Sequence, residues 1–237
     1  MMTWCSELRA GFEDAGHDAR GENDPAERRV GWPYSGRPNR SCEGRSGLTV
    51  SVQSPPVSTI GVVLAAGAGR RFGGPKALVV ENGVPWVARA ATLLQDAGCG
   101  DVLVVLGASA DAARELVPPF ARVIVAEDWE SGMSASLRAS LAAASLTAAR
   151  SALMTLVDLP ALPLAAVQRV LVSGAPLAQA TWGGAPGHPV LISRSHWAPL
   201  AESLSGDSGA RAYLAINGAL EVECGDLGDG SDVDAPH

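Results

Sequence analysis

Lysine is almost absent from this chain. Lys76 is the single one, and the rest of its 18 Lys and Arg residues are arginines. Aromatic residues are scarce at 5%. The cysteines Cys5, Cys42, Cys99 and Cys224 are scattered, with no CxxC spacing. Such a set suggests neither a disulfide framework nor a zinc site, and it reads as unpaired thiols in a reducing cytoplasm. No apolar run approaches the roughly 20 residues that a membrane-spanning helix needs. The first residues also lack the apolar middle of a signal peptide. A cytoplasmic location without a membrane partner is therefore expected. Net positive charge is lacking too. The chain carries −7 and a pI near 5.1, which excludes the basic face of a dedicated nucleic-acid binder. An acidic chain can still reach a nucleotide's phosphates through a divalent metal.

Apolar residues are plentiful. They make up 47% of 237 residues, against 18% charged, enough for one sizeable α/β domain. Residues 1–58 stand apart. Their mixed charge and their Gly, Pro, Ser and Asn content predict a disordered or loosely attached extension. Ser54-Pro55-Pro56 reads as the hinge into a domain over 59–237.

From Thr59 onward, apolar patterns alternate. Strands are expected over 60–66, 101–106, 121–126 and 152–157, and helices over 84–97, 110–117, 134–145 and 162–173. The alternation predicts a parallel sheet with helices on both faces. Its ligand should sit beyond the carboxyl ends of the strands, where strand order reverses. Gly67, Gly107 and Asp158 each follow a strand and so converge on that edge. Farther on, strands over 177–182 and 189–193 flank a turn at 183–188. Short helices follow over 197–204 and 210–216, then a last strand over 220–224.

The stretch 64–76 ends in a glycine-rich loop. Gly67, Gly69, Gly73 and Gly74 let backbone N–H groups approach an anion. Arg70 and Lys76 add mobile positive charge. The spacing Gly-x-Gly-x-x-x-Gly is one residue off the dinucleotide fingerprint, and no acid about 20 residues later would hold a ribose. A P-loop would need Gly-Lys-Ser/Thr, whereas Lys76 stands between Pro75 and Ala77. The loop therefore reads as a triphosphate site, with a solvated glycine turn as the plain alternative. Asp158, ahead of Leu159-Pro160, suits Mg²⁺ or else caps the following helix.

Residues 64–76 resemble Leu-Ala-Ala-Gly-x-Gly-x-Arg-x-Gly-x-x-Lys, the opening signature of nucleotidyltransferases that move NMP from an NTP to a phosphate or sugar. Further matches narrow the resemblance. They are Gly132-Met133-Ser134-Ala135-Ser136-Leu137, Val157-Asp158-Leu159-Pro160, Gly187-His188-Pro189-Val190 and Gly206-Asp207-Ser208-Gly209-Ala210-Arg211. With Asp232-Val233-Asp234-Ala235-Pro236, close to the pattern Asp-x-Asp-Thr-Pro, they resemble the molybdenum cofactor cytidylyltransferase branch.

The resemblance implies a Rossmann-like three-layer α/β/α sandwich with a mostly parallel sheet. It implies that Leu64, Ala65, Ala66 and Gly67 contact the base and ribose, that Gly69, Arg70 and Lys76 hold the triphosphate, and that Gly107 and Ser136 adjoin the nucleotide. It places Mg²⁺ on Asp158 and Asp234, with Arg70, Lys76 and Asp158 as the catalytic set. His188, Asp207 and Arg211 fall on the pterin-substrate side, their plain readings being a turn residue, a helix cap and a surface ion pair. Guanylyl-transferring relatives usually read Leu-Ala-Gly-Gly, so the methyl group of Ala66 favours CTP over GTP. The activity implied is transfer of CMP from CTP to the terminal phosphate of molybdenum-molybdopterin with release of pyrophosphate, and a recipient molybdoenzyme is a further partner. The alternatives are a sugar-phosphate or polyol-phosphate acceptor, and a non-catalytic nucleotide-binding protein that delivers cofactor.

Overall fold

The computed structural model describes residues 59–235. The extension expected at 1–58 lies outside the described residues. The elements run in the order β1 (Thr59–Ala65), β2 (Val80–Glu81), β3 (Val84–Pro85), α1 (Trp86–Asp96), β4 (Asp101–Leu106), α2 (Ala110–Arg114), β5 (Arg122–Val125), α3 (Met133–Ser145), β6 (Ser151–Leu156), α4 (Leu164–Leu171), β7 (Leu177–Trp182), β8 (Ala185–Ser193), α5 (Trp197–Ser203), α6 (Arg211–Ile216) and β9 (Leu220–Glu223).

Seven strands form one sheet in the order β5-β4-β1-β6-β8-β7-β9. Strand β8 runs antiparallel to β6 and β7, and the remaining pairs are parallel. The sheet is thus mostly parallel, as the alternating pattern predicts. Strands β1 and β4 are covered on both faces and read as near-continuous β-branched and leucine runs. Their side chains alternate between two cores. Val63, Val104 and Leu153 pack with Val87, Leu94 and Val167 of α1 and α4. Val62, Leu103 and Ile192 pack with Leu137, Leu141 and Leu200 of α3 and α5.

Strand β1 has β4 on one side and β6 on the other. The chain leaves β1 toward β4 and returns later to β6, so strand order reverses between β1 and β6. A crevice opens at that point in sheets of this kind. The backbone ties its floor together: Val157 N–H donates to Leu64 O at 3.1 Å, and Ala108 N–H to Ala66 O at 3.0 Å.

Three local expectations are corrected. The helix expected from residue 84 starts at Trp86, because Val84 and Pro85 form one arm of a hairpin with β2. Asn82 and Gly83 at its tip have φ of 52° and 78°, a two-residue Asn-Gly turn with both residues left-handed. The α2 helix stops at Arg114, short of Pro118. The turn expected over 183–188 shrinks to Gly183-Gly184, and β8 begins at Ala185. No described helix is long and apolar enough to cross a membrane.

Candidate functional site

The loop after β1 is closed on itself. Gly69 O accepts from Gly73 N–H at 2.9 Å and from Gly74 N–H at 3.1 Å. Gly69 has φ of 59°, and the carbonyl of Gly74 fills the space its Cβ would need. Only glycine serves there. The loop ends at Pro75, and Lys76 opens a single 3-10 turn, Lys76–Leu78. This fixes the lysine backbone while leaving its ammonium free to reach across the crevice.

That ammonium meets the carboxylate that follows β6. Lys76 Nζ lies 2.8 Å from Asp158 Oδ2 and 3.3 Å from Asp234 Oδ1. The tail that carries Asp234 is tethered here, since Val233 N–H donates to Asp158 O at 3.0 Å. Burial alone would lower the Lys76 pKa, but the hydrogen bonds and charges of Asp158 and Asp234 outweigh it and hold the lysine above its usual range. The second oxygen of Asp158, Oδ1, is buried and has no partner. A buried carboxylate oxygen of that kind lacks a donor or a cation. Asp158 is not a helix cap, because α4 is preceded by Pro163 and no side chain caps it.

Two acids therefore converge where a divalent ion could sit, with phosphate oxygens and water completing its shell. Among the described residues no three His, Cys, Asp or Glu side chains gather as a larger metal cluster.

The crevice is a cleft of about 420 Å³. Its floor and loop side are Leu64, Ala65, Ala66, Gly67, Gly69, Arg70, Lys76, Leu156, Val157 and Asp158. The opposite wall carries Trp129, Glu130, Gly132, Met133, Ser136 and Asp207. Most residues expected to meet the nucleotide thus share one cleft. Gly107 does not line it. It is buried behind Trp129, and a Cβ there would stand 2.6 Å from Trp129 Cβ and 2.7 Å from Ala66 O. It stands against the Trp129 wall of the cleft. The signature's arginine, counted along the motif, is Arg71. Both Arg70 and Arg71 are exposed, and Arg70 lines the cleft.

Of the three residues assigned to the acceptor side, only Asp207 lines the cleft. Asp207 sits on the nucleotide cleft, its carboxylate filling the space beside Gly132, and Ser134 N–H donates to Gly206 O at 3.2 Å. It does not cap α6, whose preceding residue is Ala210. Arg211 is exposed at the start of α6, away from the cleft lining. His188 lies within β8, its Nδ1 3.3 Å from Met154 O, while Trp182 Nε1–H donates to its carbonyl at 3.1 Å. Burial lowers its pKa, and the Met154 contact with the nearby Asp158 and Asp232 charges only partly offsets this. His188 thus lies near the acids and is not among the residues that line the cleft. A second cavity of about 490 Å³ adjoins at Asp234, between Trp86, Arg89, Pro160 and Asp232.

Sequence reasoning missed Trp129, Glu130 and Met133. The one available signal was an aromatic, in a chain poor in them, three residues before Gly132.

Comparison with known proteins matches residues 61–222 to the family model described as MobA-like NTP transferase domain. The chain is 40% identical over 188 residues to nicotine blue oxidoreductase of Paenarthrobacter nicotinovorans, across 73% of this chain and 91% of that protein. It is 33% identical over 140 residues to molybdenum cofactor guanylyltransferase of Rhodobacter capsulatus, across 58% of this chain and 64% of that protein. The crystal structure of Rv0371c from Mycobacterium tuberculosis H37Rv is similar, with TM-score 0.66 and 29% identity, over 76% of this chain and 93% of that one. A further structure of Rv0371c is a complex with manganese, with TM-score 0.59 and 26% identity, over 70% of this chain and 88% of that one.

Proposed function

The chain belongs to the MobA-like NTP transferase family, and on that premise we propose that it moves CMP from CTP to the terminal phosphate of a molybdopterin-type acceptor, releasing pyrophosphate. The observation that carries this reading is the Lys76–Asp158 pair, set between a closed glycine loop and a buried, unpartnered carboxylate oxygen.

An oxygen of the acceptor phosphate attacks the α-phosphorus of CTP. The new P–O bond forms as the bond to the β-phosphate oxygen breaks, and pyrophosphate departs with that electron pair. A phosphate nucleophile is already ionised near neutral pH, so no strong base is required. Catalysis then rests on position and charge. The loop over 67–75 offers backbone N–H groups to the phosphates. Lys76 and Arg70 neutralise the charge that builds on the leaving pyrophosphate. Asp158 and Asp234 would hold a divalent cation, read here as Mg²⁺, which when bound supplies Lewis-acid neutralisation of phosphate charge. Ser136 and the backbone of Leu64 to Gly67 position the nucleoside, and the methyl group of Ala66 favours a one-ring base. The relationship to molybdenum cofactor guanylyltransferase supports a pterin acceptor.

A second reading has its own observation. The relative with the higher identity is named nicotine blue oxidoreductase, and the second reading is a redox reaction on a dye-like substrate in the same cleft. One experiment separates the readings. The protein is incubated with CTP, Mg²⁺ and molybdopterin, then with sugar and polyol phosphates, and pyrophosphate is followed. A parallel reaction with a reduced nicotinamide cofactor and a quinone-like dye follows absorbance. Pyrophosphate release dependent on molybdopterin is expected. Release only with a sugar or polyol phosphate would replace the acceptor, and cofactor oxidation without pyrophosphate release would favour the second reading.

A further inference from the structure

The triphosphate end of the cleft is defined by Lys76, Arg70 and the glycine loop. The base then needs an apolar, flat surface farther along the cleft. Among the residues that line it, Trp129 is the one aromatic. The geometry assigns Trp129 as the wall of the nucleobase compartment, with Gly107 as the spacer that lets the indole seat against the strand end beside Ala66. This rests on the nucleotidyl-transfer reading.

The argument starts from the backbone. Trp129 begins a 3-10 turn, Trp129–Ser131, bonded at both ends: Trp129 N–H donates to Ala126 O at 3.1 Å, and Gly132 N–H donates to Trp129 O at 3.1 Å. The indole is therefore hung from a fixed point. Behind it lies buried Gly107, where a Cβ would stand 2.6 Å from both Cβ and Cγ of Trp129. The same imagined atom would be 2.7 Å from Ala66 O, so Ala66, Gly107 and Trp129 stand in direct succession. Ala66 itself is held in place, its carbonyl accepting from Ala108 N–H at 3.0 Å. The backbone on both sides is thus pinned by hydrogen bonds. The indole is only partly buried, which leaves it surface to offer to a base.

The test is binding of CTP and GTP with Mg²⁺ to the full chain. Trp129→Ala should weaken CTP binding by roughly tenfold to a hundredfold, the loss expected for one stacked base. It should weaken GTP as well, because either base would stack on the same indole. Trp129→Phe should keep most of the affinity. Gly107→Ala lies outside the cleft lining and should still weaken CTP, because it pushes Trp129 out of place. A measurement on the otherwise unaltered protein guards against misfolded variants. With 5-fluorotryptophan incorporated, the Trp129 resonance, identified by its loss in Trp129→Phe, should shift on adding CTP and stay put on adding pyrophosphate. CTP binding without that shift, or Trp129→Ala leaving both affinities within about twofold, would overturn the inference and leave nucleotidyl transfer standing. Failure of the unaltered protein to bind any nucleotide would overturn both.

Discussion

Lys76 Nζ and Asp158 Oδ2 are 2.8 Å apart, although 82 residues separate them in sequence. The contact joins the end of the glycine loop to the end of β6 across the point where strand order reverses. It also presets the site's charge: the only lysine of the chain is held by two acids. Lys76→Ala should preserve the fold and lower the transfer rate by about 10²–10³-fold, the scale for removing a preorganised donor to developing charge. Steady-state pyrophosphate release, alongside a far-UV CD spectrum, checks this.

Asp158→Asn keeps the shape of the side chain and removes its charge. It should abolish most of the response to divalent metal and reduce transfer on the order of a hundredfold or more. Titration of Mg²⁺ and Mn²⁺ into each protein with CTP present reads the outcome. Restoring activity at high metal concentration would identify affinity as the main loss.

Arg70 and Arg71 are adjacent and exposed, and only Arg70 lines the cleft. A charge-assisted hydrogen bond from an arginine to a phosphate is worth about 1.5–3 kcal/mol. Arg70→Ala should raise KM for the nucleotide by roughly tenfold, and Arg70→Ala/Arg71→Ala should raise it further. Equal effects from the two single variants would show that the loop brings either arginine to the phosphates.

Much of this was legible in the sequence. Val62 and Val63 face different cores because the strand has helices on both sides, so its sequence is a near-continuous apolar run, and such runs mark a parallel sheet without a structure. The glycines and Lys76 announced the loop through their chemistry. Other parts depend on tertiary contact. No local pattern says that Trp129 presses on Gly107, because those residues belong to different segments. The separation of Arg211 from the cleft is equally invisible, since a motif fixes order along the chain and not direction in space. The β2–β3 hairpin is a different case. Its Asn82-Gly83 turn carried a readable signal, which the helical spacing that follows obscured.

Glu223 gives a pH prediction away from the cleft. Backbone N–H groups of Gly225 and Gly183, the Thr181 hydroxyl and the Gly184 N–H hold it ionised, lowering its pKa from 4.5 to about 2. These contacts join the β7–β8 turn to the end of β9. Because the folded value is the lower one, the stabilisation is fully present above about pH 4.5 and is lost as pH falls toward 2. Glu223→Gln should melt earlier than the unaltered protein at pH 7, and the gap should narrow below about pH 4.5 and close near pH 2. Thermal melts across that range, at constant ionic strength, check it.

Leu94 tests the core beneath the site. It is fully buried in α1, among Val63, Val87 and Val104. Leu94→Ala should cost about 2–5 kcal/mol of stability. Urea unfolding should show a lower midpoint with an unchanged slope.

The central claim is that this cleft transfers a nucleotide. The most direct measurement uses CTP labelled at the α-phosphate, with Mg²⁺ and molybdopterin, and separates the products. Transfer predicts that the label appears in a pterin dinucleotide in step with unlabelled pyrophosphate, and that Lys76→Ala and Asp158→Asn lose both together. Label that stays in CTP, or passes only into free CMP, while the protein still binds CTP, would contradict it.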